Sequence, residues 1–145
     1  MSVPTSAPAL TGIHHFSPTV SDVEASAAWY ERVFGMSRVP APFPHWGDEQ
    51  GGYAVLLMSP AGFAIGLHHH EANLGQQFDE RRTGLDHVSF GVAARADLDG
   101  WASWLTEAGV EHSGVIDAPS PVPYSVIVFR DPDGIQLELF HMDAG

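Results

Sequence analysis

The 145 residues include 44% hydrophobic and 17% charged types, enough apolar material for one packed domain and too little polarity for a disordered chain. Six Arg against 18 acidic residues, with no Lys and no Cys, give a formal charge of −12. These counts exclude Schiff-base catalysis, a phosphate-loop lysine, thiolate nucleophiles, disulfides and Cys-ligated metal centres, and a field of this sign repels nucleic-acid backbones and anionic membranes. Histidine and carboxylate chemistry remains, with nine His to supply it.

Residues 1–10 (MSVPTSAPAL) have no basic start and no long apolar run, so they read as a flexible lead-in and not as a signal peptide. No segment approaches the roughly 20 apolar residues of a membrane span, and the expected location is cytoplasmic. From Gly12 to Val20 the residues alternate as in a half-buried strand, with His15, Ser17 and Thr19 on one face and Phe16 and Val20 on the other. A helix follows in SDVEASAAWYERVFG, with Ser21 as N-cap, Glu24 completing a capping box and Gly35 as the stop. Strands are expected over Ser37 to Pro40, Tyr53 to Met58 and Phe63 to His68, with a long loop from Ala41 to Gly52.

The chain then repeats itself at an offset of 72: His15-Phe16-Ser17 falls on His87-Val88-Ser89, and Ser59-Pro60-Ala61-Gly62 falls on Asp131-Pro132-Asp133-Gly134. The second copy reads as a strand from Leu85 to Val92, a helix from Asp97 to Ala108 closed by Gly109, and strands over Val110 to Ile116, Tyr124 to Arg130 and Ile135 to Phe140. The fold class is therefore α+β, with two tandem βαβββ modules forming a curved, cup-shaped mixed sheet. One domain spans 11–145, with module one over 11–70, a polar linker over 71–83 and module two over 84–142.

Sites in such a cup are built from strand residues on its concave face. On the last strand Ile135, Leu137 and Leu139 form the helix-covering set, which leaves Gln136, Glu138 and Phe140 on the other side. The first strands bring His15 and His87 to that side, so two imidazoles and a carboxylate converge as a ligand set for a divalent metal with open coordination positions. Alternation favours His15 over His14, a choice that a one-residue bulge would reverse. The run His68-His69-His70 reads first as an exposed strand end; His68, two residues beyond Gly66 on the same face, is a candidate fourth ligand or acid/base. Tyr124 is a candidate donor to a bound oxyanion, and Ser17, Trp46, Tyr53, Ser89 and Phe140 are candidate substrate-binding residues, with Phe43 and His45 beside the same loop. Trp29, Trp101 and Trp104 fall on helices and read as core or dimer-interface residues.

The segments HHFSPTVSDVEASAAWYERVFGM, GLDHVSFGV and RDPDGIQLELF resemble the vicinal oxygen chelate superfamily, the glyoxalase/bleomycin resistance protein/dioxygenase family, over about residues 11 to 142. The resemblance implies a His ligand on the first strand of each module and a Glu on the last, here His15, His87 and Glu138. The fourth family position falls on Gly66, where glyoxalase I places a Glu or Gln that takes part in proton transfer, and glycine cannot do this. The resemblance thus implies a metal-dependent dioxygenase or lyase/isomerase that chelates adjacent oxygens of a small, largely apolar substrate, with extradiol-type dioxygenase favoured over glyoxalase I. It implies Fe(II), Mn(II), Ni(II) or Zn(II) as cofactor and a homodimer in which His15 meets His87 and Glu138 of the same chain or of the partner. Fosfomycin-modifying thiol transferases share the triad, but with no Lys and no Arg after Glu138 the chain offers less to a phosphonate. The alternative is a metal-free protein of the bleomycin-resistance type that sequesters an antibiotic or other natural product in the cup.

Overall fold

The computed structural model describes residues 2, 3 and 5–143. Its elements follow the duplicated order: β1 (His15–Phe16), α1 (Val23–Phe34), β2 (Ser37–Arg38), β3 (Phe43–Pro44), β4 (Tyr53–Met58) and β5 (Ala64–His69), then β6 (Val88–Gly91), α2 (Arg95–Glu107), β7 (Ile116–Ala118), β8 (Tyr124–Arg130) and β9 (Gln136–His141). The strands form two open mixed sheets, one ordered β1-β5-β4-β2 with β3 also on β4, the other ordered β6-β9-β8-β7. The registers repeat as the sequence does: Phe16 faces Ile65 as Val88 faces Leu137, and Leu56 faces Gly66 as Val128 faces Glu138.

Several boundaries differ from the sequence reading, each for a local reason. The first strand is two residues long because Pro18 has no N–H for the ladder; the chain rejoins β5 at a Thr19–His68 bridge, where the Pro18 carbonyl accepts from His68 N. Asp22, not Ser21, caps α1 and accepts from Ala25 N at 3.0 Å, while Glu24 pairs with Arg38 and takes no part in a capping box. Ser21 instead donates its backbone N–H and its hydroxyl to Asp133 in the other module. α2 starts two residues early because Asp97 sits at its third position, accepting from Ala94 N at 2.9 Å. Where a strand was expected from Val110, only a bridge at His112 forms, since Val128 N donates to the Ser113 hydroxyl and not to a backbone carbonyl; the strand proper begins at Ile116. The linker lies over the second turn, with Phe78 N donating to Asp133 O and Glu80 paired with Arg130.

One core joins the modules. α1 lies across β4 and β5 and α2 across β8 and β9, burying Leu57, Ile65 and Leu67 in one module and Leu98, Leu105, Ile127, Leu137 and Leu139 in the other. Phe34 bridges them, its ring 4.8 Å from Phe90, 5.8 Å from Trp101 and 6.0 Å from Phe129. Trp29 packs in this cluster, and Trp104, still 45% exposed, donates its indole N–H to Val33 O. The Tyr30 hydroxyl donates to buried Asp131 at 2.8 Å, and burial first, then Asp131, pushes Tyr30 far above its ordinary pKa. With both helices on the core side, the opposite faces of the sheets are left for polar groups. Among the described residues, no helix is long and apolar enough to cross a membrane.

Candidate functional site

On the open face of module two, β9 places Glu138 between the core-facing Leu137 and Leu139, as period-2 alternation requires. Its side chain is only 15% exposed, and His87 Nε2 lies 3.4 Å from its Oε1. The other nitrogen of His87, Nδ1, is 2.7 Å from Asp86 Oδ1. The Asp86 hydrogen bond, reinforced by Glu138 and opposed by burial, holds His87 above its ordinary pKa. A carboxylate that fixes one imidazole nitrogen while the other faces a second, half-buried carboxylate is the outer-shell arrangement of metal-binding histidines. His87 and Glu138 therefore fit a divalent cation. Ser89 stands in register with Glu138 on the neighbouring strand.

The open face of module one carries a different group. Gly66 stands where Glu138 does, and a Cβ there would lie 2.7 Å from the Ser17 hydroxyl and 3.8 Å from His68 Nε2. Ser17 and His68 thus fill the space of the missing side chain. His68 and His70 share a face, and His45 from the loop after β3 joins them, with one potential ligand atom from each residue within 4.8 Å of the others. Desolvation, then His45, His70 and His15, lower the pKa of His68. The sequence reading had set His70 aside as strand-end surface and His45 as a pocket-wall residue; the signal lay in the i, i+2 spacing of His68 and His70, which puts both on one side of an extended chain.

His15 is not brought to the module-two pair. It is exposed, 2.8 Å from His14 through their Nδ1 atoms, and His45, His68 and His70 are the one set of three or more such ligands gathered within 4.8 Å among the described residues. His15 and His87 do border the same cavity of about 520 Å³, which lies along β1 and β6 and is otherwise walled largely by Ile13, Phe16, Phe63 and Phe90.

A model of the Glyoxalase/Bleomycin resistance protein/Dioxygenase superfamily matches residues 12–139. The chain belongs to that superfamily. It is similar to a glyoxylase/bleomycin resistance protein/dioxygenase domain from Frankia sp. EAN1pec, at 30% identity and a TM-score of 0.80, covering 93% of this chain and all of the other. The metallothiol transferase FosB of Shouchella clausii (strain KSM-K16) is 28% identical over 90% of this chain and 80% of its own length. MhqA of Bacillus subtilis (strain 168), whose name proposes ring-cleaving dioxygenase chemistry, is 28% identical over 63% of this chain, which spans only 28% of that longer protein.

The remaining expected site residues of this superfamily member are spread over both sheets. Tyr124 stacks on Phe140 at 5.5 Å, on the same face as Glu138, and borders a separate cavity of about 340 Å³ with Arg95, Asp117 and His141. Trp46 is 83% exposed in its loop. Tyr53 pairs with His69 on the helix side of its sheet, their rings 5.0 Å apart, because β4 turns Val55 and Leu57 to the same side.

Proposed function

We propose that the protein is a metal-dependent enzyme that holds a divalent cation through His87 and Glu138, with His15 as third ligand, and binds adjacent oxygen atoms of a small, largely apolar substrate. The observation that carries this reading is the half-buried Glu138 facing a histidine already oriented by Asp86. A bound divalent ion would supply Lewis acidity toward those oxygens and, in an extradiol-type dioxygenase, a place for O2. Ring cleavage of that type is favoured over glyoxalase I chemistry because Gly66 has no group with which to move a proton. The apolar walls beside His15 and His87 suit an aromatic substrate. The names of MhqA and FosB are consistent with a metal-dependent reaction.

His15 stands apart from His87 and Glu138 within one chain, so the reading extends to a dimer in which module one of each chain faces module two of the other. A mixing experiment tests both parts. His15→Ala and Glu138→Gln proteins, each alone, should hold little metal at this site; when unfolded together in equal amounts and refolded they should regain about a quarter of the wild-type content, because about half the dimers are mixed and each of these has one complete site of two. No recovery on mixing overturns the shared site, and unchanged metal in Glu138→Gln overturns the enzyme reading. Tight binding of a natural product that survives a chelator, with no product formed, would favour sequestration instead.

A further inference from the structure

We propose that His45, His68 and His70 form a second metal site, separate from the His87–Glu138 pair, that takes a borderline transition ion with a preference for imidazole, such as Zn(II) or Co(II). Three ring nitrogens within 4.8 Å of one another are already at a spacing that one ion can span. Two buried atoms in the group, His45 Nδ1 and His68 Nδ1, have no hydrogen-bond partner. Buried polar atoms are normally satisfied, so two such orphans within one imidazole cluster point to a missing partner. The third ring is oriented from behind: His70 Nδ1 lies 2.6 Å from Asp48 Oδ2, which leaves its Nε2 free.

The loop that brings His45 and Asp48 to the end of β5 is built to do so. Asp48 N donates to His45 O and Gly52 N donates to Asp48 O, curling the loop on itself. Position 52 admits only glycine without rearrangement, because a Cβ would stand 2.7 Å from Asp48 O and 2.9 Å from His45 Cβ. The rings pack at centroid separations of 4.6 Å for His45–His70 and 5.1 Å for His45–His68. His69, between two members of the group in sequence, turns to the other face against Tyr53 and Glu71. Three imidazoles with no carboxylate disfavour Mg(II) and Ca(II) and leave one position of a tetrahedral ion open. Occupancy would pin the 45–52 loop to β5, along one side of the module-one face.

The test isolates this site in the full-length Glu138→Gln protein, so that loss of the first site and loss of the second are read separately. The metal-stripped protein is titrated with Co(II), followed by visible absorption and by calorimetric stoichiometry, then back-titrated with Zn(II). One tightly bound ion per chain is expected, with the intense visible bands of a four-coordinate Co(II). Adding His45→Ala or His70→Ala should abolish this ion, Asp48→Asn should weaken it about 10- to 100-fold, and His69→Ala should leave it unchanged. In the folded Glu138→Gln protein itself, Zn(II) should shift the ring NMR signals of His45, His68 and His70 but not of His69, which keeps the result independent of variant folding. No bound ion in Glu138→Gln, or a loss on His69→Ala equal to that on His45→Ala, overturns the proposal.

Discussion

The open faces of the two modules are built on the same register and carry different donors. In module two the position opposite Val128 holds Glu138, paired with His87; in module one the position opposite Leu56 holds Gly66, and His68, one step further along the strand face, reaches back over it. A duplicated backbone therefore fixes where ligands can stand, while a single side chain decides which chemistry each copy supports. One face offers a carboxylate and an imidazole, suited to an ion that accepts oxygen ligands. The other offers imidazoles alone.

The largest way to break this comparison is Glu138→Gln. Metal held by module two should fall from about one equivalent per chain to near zero, with catalytic activity, measured by mass-spectrometric metal content and turnover of catechols. The two hairpin turns differ next. Asp131 accepts from Tyr30, from Asp133 N and from Ile135 N while buried, whereas its counterpart Ser59 makes one exposed bond to Ala61 N. Asp131→Ala should cost about 3–5 kcal/mol in urea unfolding, because three donors lose their acceptor, and Ser59→Ala should cost about 0.5 kcal/mol. A result in which both cost the same would show that the second turn carries no special load.

A smaller effect is expected at Gly66 itself. Gly66→Ala should cost about 1–3 kcal/mol because the new methyl meets the Ser17 hydroxyl at 2.7 Å, and combining it with Ser17→Ala should recover most of the loss. A double-mutant cycle with additive costs would contradict the close approach. Smallest is the acid dependence of the linker contact. Arg130 holds the partly buried Glu80 at about 2, below its usual 4.5, so the contribution is full above pH 4.5 and lost as pH falls toward 2. Glu80→Gln should lower thermal stability slightly near neutrality, where the contribution is full, and the difference from the unmodified protein should vanish as pH falls toward 2.

Much of this fold could be read from periodicity and repetition. The offset of 72 located both modules, and β4 and β8 begin and end where alternation placed them. What escaped the sequence depended on contacts between distant residues. Ser21 looks like a cap, yet it is drawn to Asp133, 112 positions away. Pro18 cut the first strand short, although the side-chain alternation runs through it. At the site, the pairing of His87 with Glu138 followed from strand faces alone, but Asp48 and His45 reach His70 only through the curl of an irregular loop, which no periodic pattern encodes. Tyr53 was misplaced by proximity to that loop, since its own strand turns it to the helix side.

The inter-module contacts also set how the molecule comes apart. Tyr30–Asp131, Ser21–Asp133, Arg32 to Ala108 O and Trp104 to Val33 O all cross from one half to the other, around a shared aromatic cluster. Separated halves would each expose that cluster and strand a buried carboxylate or phenol. Slow-exchanging amides of β5 and β9 should therefore open together, at the free energy of global unfolding, so that the duplicated chain behaves as one cooperative unit.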